Sequence, residues 1–256
     1  MTKQMMVDFT GRHIAIVGAA GDIGAAIVSL LLALGGKISA IDRDRSALDA
    51  LAEASPDTAA MLTRHVADVT DEAQMAQVFA ALGPLDGLVN GAGIEHRPSP
   101  LPDFDTALFR QVMDVNVTGV YLGLKHGLPL LRRPGGAVVN FASTAGIKGA
   151  AGMSAYVASK HAVIGLTRCA AIESGPEGLR INAICPGPIA GRMIDAIMGS
   201  DSDNPSPAAQ ARMNIIPSRR FGRREEVARV TAFLLSDAAS YVNGACYPVD
   251  GGISAI

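Results

Sequence analysis

His13-Ile14-Ala15-Ile16-Val17-Gly18-Ala19-Ala20-Gly21-Asp22-Ile23-Gly24 is the stretch on which the reading of this chain turns. The run from Ile14 to Val17 shows no polar alternation, so it reads as a strand covered on both faces. Three glycines within the seven positions from Gly18 to Gly24 then turn the chain. The apolar spacing beyond, over about residues 22–34, is helical. Strand, glycine turn and helix in that order open a βαβ unit. Glycine lets the backbone turn sharply and approach an anion, and the first amides of the helix point at that anion. An ordinary tight turn is the plainer reading of the glycines taken alone.

Outward from that unit, strands are expected at 37–41, 61–67, 85–89, 136–142, 179–184 and 245–249, with helical segments between them. Such alternation implies right-handed crossovers and a parallel sheet. The expected fold is therefore α/β: one Rossmann-like domain over residues 1–256, a doubly wound parallel sheet of about seven strands with helices on both faces. Pro248 cannot donate to a ladder, which puts the last strand at an edge. The rhythm breaks at Gly199 to Pro207, rich in Ser, Asp, Asn and Pro. No second core follows, so a mobile loop over about 190–215, of the kind that covers active sites, is expected there.

Composition narrows the class. The 256 residues are 49% hydrophobic with 28 glycines, which suits a large core crossed by many turns. A net charge of -2 without a basic stripe excludes nucleic acid as the main partner. Cys169, Cys185 and Cys246 are scattered, which supports neither a disulfide framework nor a zinc site, and they read as small buried hydrophobes. The five histidines make no ligand pair at helical spacing, so no metal is expected. Residues 1–12 lack a secretory apolar region, and no apolar run reaches the ~20 residues of a spanning helix. The expected location is the cytoplasm.

Two further positions carry chemistry. Asp42 ends the second strand about twenty residues past the glycine turn, where a carboxylate accepts both hydroxyls of an adenosine ribose and repels a 2′-phosphate. That favours NAD over NADP, although Arg43 next to it offers a partner for a phosphate. The alternative is that Asp42 caps the next helix. Tyr156-Val157-Ala158-Ser159-Lys160 places a phenol and an ammonium at i and i+4, on one helix face. A free phenol titrates near 10, so work as a base near neutrality requires a drop of ~3, or about 4 kcal/mol of stabilisation of the phenolate. A neighbouring cation, Lys160 together with an oxidised nicotinamide, is the expected source.

With these residues the chain resembles the short-chain dehydrogenase/reductase family in its short form. The resemblance runs over nearly the whole chain, from the glycine loop to Val249-Asp250-Gly251-Gly252. In that family a serine stands thirteen positions before the tyrosine, and Ser143 in Asn140-Phe141-Ala142-Ser143 matches. An asparagine from the preceding long helix completes the group, and Asn116 in Val115-Asn116-Val117-Thr118-Gly119 matches. The resemblance implies Tyr156 as general acid/base and Ser143 as hydrogen-bond donor to the substrate oxygen. It implies Lys160 as the cation that lowers the tyrosine and holds the nicotinamide ribose, and Asn116 as the holder of a relay water. For the cofactor it implies the loop Gly18, Gly21, Asp22, Ile23 and Gly24, the pair Asp68-Val69 at the adenine, and Asn90-Gly91-Ala92-Gly93 along the cleft. Pro186-Gly187 would lie beneath the nicotinamide, with the Ile189 backbone on its carboxamide.

The chain departs from the family pattern twice. The middle glycine of the loop comes one place early, at Gly21, and Asp22 stands where glycine is usual. Its side chain must point away from the pyrophosphate or cap the helix. Beyond Pro186-Gly187 a threonine usually bonds the carboxamide; here the position is Gly191.

For substrate, the segments Gly93-Ile94-Glu95 and Ser240-Tyr241-Val242-Asn243-Gly244 resemble a subgroup acting on secondary alcohols and cyclic ketones. Pocket candidates are Ile94, Glu95, Ser143, Ala145, Ile147, Pro188 and Met193. Glu95 and His96 are read either as groups facing a polar part of the substrate or as exposed loop residues. Arg219, Arg220, Arg223 and Arg224 beside Glu225 and Glu226 read as a solvated helix start with local ion pairs. An NAD-dependent dehydrogenase or ketone reductase is the expected activity. An NADPH-dependent oxoacyl reductase and an idle dinucleotide-binding sensor are the alternatives. A homotetramer or homodimer, through the helices that carry Asn116 and Tyr156, is implied by the resemblance.

Overall fold

In the computed structural model of the protein, residues 7–198 and 206–256 are described. Seven parallel strands form one sheet in the order β3-β2-β1-β4-β5-β6-β7. They are β1 His13–Val17, β2 Lys37–Asp42, β3 Leu62–Val66, β4 Gly87–Asn90, β5 Ala137–Phe141, β6 Arg180–Pro186 and β7 Cys246–Val249. The fourth strand starts two residues later than expected, because Leu85 makes an isolated bridge to Leu131 instead. The sixth runs on to Pro186, paired with Val249. β7 closes the sheet, with Pro248 opposite Cys185 on its one paired side, so the proline costs no ladder bond.

Helices cover both faces. On one side lie α1 Asp22–Ala33, α2 Arg45–Glu53 and α9 Arg224–Leu235, packing Ile27, Leu31, Leu48 and Ala232 onto Ile14, Ile16 and Val139. On the other, α3 Glu72–Leu82, α5 Gly119–Gly127 and α6 Ser154–Ser174 pack Met75, Phe79, Val120 and Val163 onto Ala15, Val17 and Val138. α4 Thr106–Met113 leads into α5 through a single wide turn of π-helix, Asp114–Thr118, whose Asn116 is fully buried. A π-turn inside a helix re-aims one side chain and recurs at functional sites.

Two expectations are corrected. The segment 190–215 is not a long loop: α7 Arg192–Met198 and α8 Pro207–Ile215 occupy its described parts, while 199–205 lie outside the described residues. The Ser206-Pro207 pair that read as loop composition is a helix start, since Ser206 Oγ accepts from Ala209 N and proline suits the first turn. Nor are the cysteines uniformly buried: Cys185 is, but Cys169 lies on the solvent side of α6 and Cys246 is half-buried on the edge strand. The arginine cluster follows the plain reading, with Arg220 on Glu226 and Arg224 on Glu225.

Candidate active site

Between β1 and β4 the strand order reverses, and the loops leaving the two strands part there to open a crevice. Gly18 stands at φ +80°, and a Cβ on it would lie 2.5 Å from the Ala92 backbone nitrogen. A Cβ on Gly24 would lie 2.1 Å from Gly18 O, so the turn closes tightly onto its helix. Gly21 caps α1 without a side-chain bond to its amides. The first N–H groups of a helix have no partner within it, so this end is ready for an anion. It opens into a cleft of about 580 Å³ that continues past Gly93 and Glu95 to Ser143, Ala145, Tyr156, Lys160 and Pro186, Gly187, Pro188, Ile189 and Met193. An uncapped helix start at one end and apolar walls at the other fit a dinucleotide lying along the cleft.

Asp22 lies on the cleft wall with its carboxylate bound to Arg192. Oδ2 accepts from Arg192 N at 2.8 Å and Oδ1 from Arg192 Nε at 2.9 Å. The two departures in sequence therefore meet in space. Gly191 stands at φ +141°, and a Cβ on it would lie 2.7 Å from Asp22 Oδ2. A carboxylate at 22 needs a residue without a side chain at 191.

Asp42 Oδ2 accepts from Ala20 N at 3.0 Å and Oδ1 from Asp44 N at 3.1 Å, which ties the glycine turn to the end of β2. The helix that follows is capped by Asp44, accepting from Ala47 N, and not by Asp42. Arg43 is exposed and bears on Asp68. Asp68 binds its own turn through Thr70 N and Oγ1, and these bonds hold its carboxyl below the ordinary value. Val69 is buried against Gly119. Asn90 turns away from the cleft: its Nδ2 donates to Asn140 Oδ1 at 2.9 Å, and Asn140 donates on to Thr167 Oγ1. Its neighbours Gly91 and Gly93 reach the cleft instead. Ile147 is exposed and does not line the cleft.

The reacting end is held by α6. Lys160 Nζ donates to Phe141 O at 2.9 Å and lies 5.6 Å from the centre of the Tyr156 ring. Ser143 leaves β5 with its hydroxyl donating to Pro186 O at 3.5 Å and accepting from Ala145 N at 3.1 Å, near enough to the Tyr156 phenol to oppose its rise. Asn116 grips the loop after β4, accepting from Ile94 N at 2.8 Å and donating to Ile94 O at 2.9 Å. Its other hydrogen goes to Ser159 Oγ, which donates to Tyr156 O.

The expected lowering of the tyrosine is not built into this protein surface. Tyr156 is partly exposed along the cleft, yet burial around it pushes the phenol up to about 12, against the opposing bond from Ser143 and with help from Glu95. Lys160 falls to about 8 because burial outweighs the nearby Cys185. A buried ammonium bonded to a carbonyl spends its field there, so the remaining pull on the phenol must come with a bound cation.

Sequence reasoning missed four participants. Arg192 carried no signal, because its partner lies 170 positions away. Cys185 was visible only as a strand residue. Ser159, inside the Tyr–Lys spacing, is legible once the helix face is drawn. His96 is not an exposed loop residue: it is buried, edge-on to Phe104, and its Nε2 accepts from Tyr156 N at 3.3 Å at the start of α6.

An anion-ready turn and an acid/base phenol that open onto one cleft make this an oxidoreductase of the dinucleotide-binding class. The family model described as enoyl-(acyl carrier protein) reductase matches residues 18–254. Levodione reductase of Leifsonia aquatica is 44% identical over 99% of this chain and 98% of its own. The 2,5-dichloro-2,5-cyclohexadiene-1,4-diol dehydrogenase of Sphingobium indicum is 39% identical over 98% and 100%. A crystal structure of levodione reductase superposes with a TM-score of 0.90 at 42% identity, covering 96% of this chain and 99% of that one. The chain belongs to the short-chain dehydrogenase/reductase family.

Proposed function

We propose that this protein interconverts secondary alcohols and ketones with NAD, on a cyclic substrate, and that residues 1–256 work as one catalytic domain. The observation that carries the reading is the hydroxyl pair of Ser143 and Tyr156 on the cleft wall, beside Lys160. Bound nicotinamide supplies the hydride acceptor in oxidation and the donor in reduction. Tyr156 takes the hydroxyl proton in one direction and returns it in the other. Ser143 donates to the substrate oxygen, where charge develops. Asn116 Oδ1 and Lys160 Nζ border one space over Gly93, each 3.3 Å from where a Cβ would stand. A water in that space carries the proton onward.

Asp42 supports NAD: with one oxygen on Ala20 N and the other on Asp44 N, it keeps further lone pairs for a ribose and repels a phosphate. Arg43, drawn toward Asp68, is the counter-argument for NADP. The oxoacyl reading is weaker, since two of the four arginines that would meet an anionic carrier, Arg220 and Arg224, are engaged by Glu226 and Glu225. Exposed Phe109, Tyr121 and Ile172, on α4, α5 and α6, support a homodimer or homotetramer through those helices. The names of the relatives support a cyclic alcohol or ketone as substrate, and we place the protein in the cytoplasm. The test follows absorbance at 340 nm with secondary alcohols, ketones and an oxoacyl thioester, each with NAD(H) and NADP(H). Turnover of a cyclic alcohol with NAD is expected; turnover confined to the thioester with NADPH overturns the reading.

A further inference from the structure

Asp22, Asp42 and Asp44 all stand at the end of the cleft where the glycine turn is ready for an anion. Asp22 opens α1 on the cleft wall, Asp42 ties the turn to β2, and Asp44 caps α2 just beyond. A pyrophosphate arriving there meets like charge, which opposes it unless a cation stands close.

Arg192 supplies that cation. Of the other cations that line the cleft, Lys160 is buried at the reacting end on Phe141 O, and Arg212 comes from α8. Among the described residues only Arg192 of these three bonds the glycine turn, giving Nε to Asp22 Oδ1 at 2.9 Å and Nη2 to Ala20 O at 3.5 Å. Asp44 is held below the ordinary carboxylate value chiefly by its bonds to Ser46 and Ala47, and the charge of Arg192 adds to that pull. The guanidinium therefore bears on the adenosine side of the turn as well as on Asp22. Its position is set through the backbone too, since Arg192 N donates to Asp22 Oδ2 at 2.8 Å. Nη1 has no partner among the described residues, and the side chain is 72% exposed. A guanidinium held along one edge keeps its other edge for a pair of phosphate oxygens.

We propose that Arg192 is a cofactor-binding residue: its open edge takes the pyrophosphate of the dinucleotide, and its bonded edge offsets the Asp22 carboxylate beside that seat. This rests on the cofactor placement above and deepens it. Asp22 aims the guanidinium, and Arg192 carries the contact.

The test measures dissociation constants for NADH or NADPH, whichever the wild type binds tighter, by fluorescence titration, and for ADP-ribose and adenosine by competition. The variants are Arg192→Met, Arg192→Lys, Asp22→Asn and the double variant Asp22→Asn/Arg192→Met. A charge-assisted bond to phosphate is worth about 10- to 100-fold in affinity, and an exposed guanidinium falls at the lower end. Arg192→Met is expected to weaken the dinucleotide and ADP-ribose about 10-fold, while adenosine, which has no pyrophosphate, stays within about twofold. Arg192→Lys keeps the charge without the fork and loses less. Adding Asp22→Asn to Arg192→Met recovers about threefold or more, because the carboxylate left without its partner is gone. All these differences shrink at 1 M salt. An equal loss on adenosine overturns the proposal. So does an unchanged dinucleotide affinity with only the KM for alcohol raised, as from an Arg192 that merely pins α7, and so does a double variant no tighter than Arg192→Met. A wild type that binds neither dinucleotide overturns the cofactor placement, and this inference falls with it.

Discussion

The cleft has two walls built on opposite terms. On one, Asn116, Ser159 and Lys160 are almost wholly buried, and their polar atoms are committed to named partners on β5, the loop after β4 and α6. On the other, α7 meets the glycine turn through Asp22 and Arg192, whose side chain is 72% exposed. Behind that pair lies a small apolar cluster of Ile194, Ala209, Ile216, Phe221 and Ile253. Buried hydrogen bonds are costly to break, while an exposed ion pair competes with water and salt. The first wall is therefore held by bonds that resist change, and the second by a pair that water and salt can loosen.

The comparison is broken most severely at the phenol. Tyr156→Phe removes the proton carrier and leaves the packing, so kcat should fall about 10²–10⁴-fold. Cofactor binding, read by fluorescence titration, should persist; an unchanged rate would remove Tyr156 from the chemistry.

A second expectation concerns the charge buried on the same wall. Burial holds Lys160 at about 8, against 10.5 for an ordinary lysine. Between those pH values unfolding takes up a proton, so stability from this group grows as pH rises toward 10.5 and is lost as pH falls through 8. Lys160→Met lacks this dependence. Urea unfolding of the cofactor-free protein at pH 7 and pH 10.5 should show the gap between the two moving in favour of the wild type by about 3 kcal/mol. A constant gap would mean that the ammonium is not desolvated.

The smallest effect is predicted on the opposite wall. Asp22→Asn removes one charge of an exposed pair, worth at most ~1 kcal/mol. The KM for cofactor or alcohol should shift about fivefold or less at low salt, with the difference vanishing at 1 M salt. A large, salt-insensitive change would show that this wall is as rigid as the other.

The two walls also differ in how legible they were. The first is local: Tyr156 and Lys160 share a helix face, and the strands before and after it are short apolar runs bounded by glycine and proline. Sheet, strand order at the edge and the four residues proposed for the chemistry follow from such spacing and from family resemblance. The motif gives the position of Asn90 but not the direction of its side chain, which Gly123 decides by leaving room for it under α5. The second wall depends on contacts 170 residues apart. Its Ser, Asn and Pro content signals a loop and a helix cap equally well, so composition there could not separate the two. Spacing alone shows the cation beside Tyr156 but not the burial that opposes it and pushes the phenol up to about 12 in the cofactor-free protein.

Gly191 and Asp22 form one steric unit, since a Cβ at 191 would stand 2.7 Å from Asp22 Oδ2. A threonine transplanted to 191 from another member of the family meets the carboxylate at 22, whereas glycine transplanted to 22 alone hands the exposed Arg192 to water. The exchange at 191 is therefore compatible only when the carboxylate at 22 goes with it. Chimeras that join the glycine turn of one relative to the α7 segment of another will therefore succeed or fail according to whether these two positions travel together.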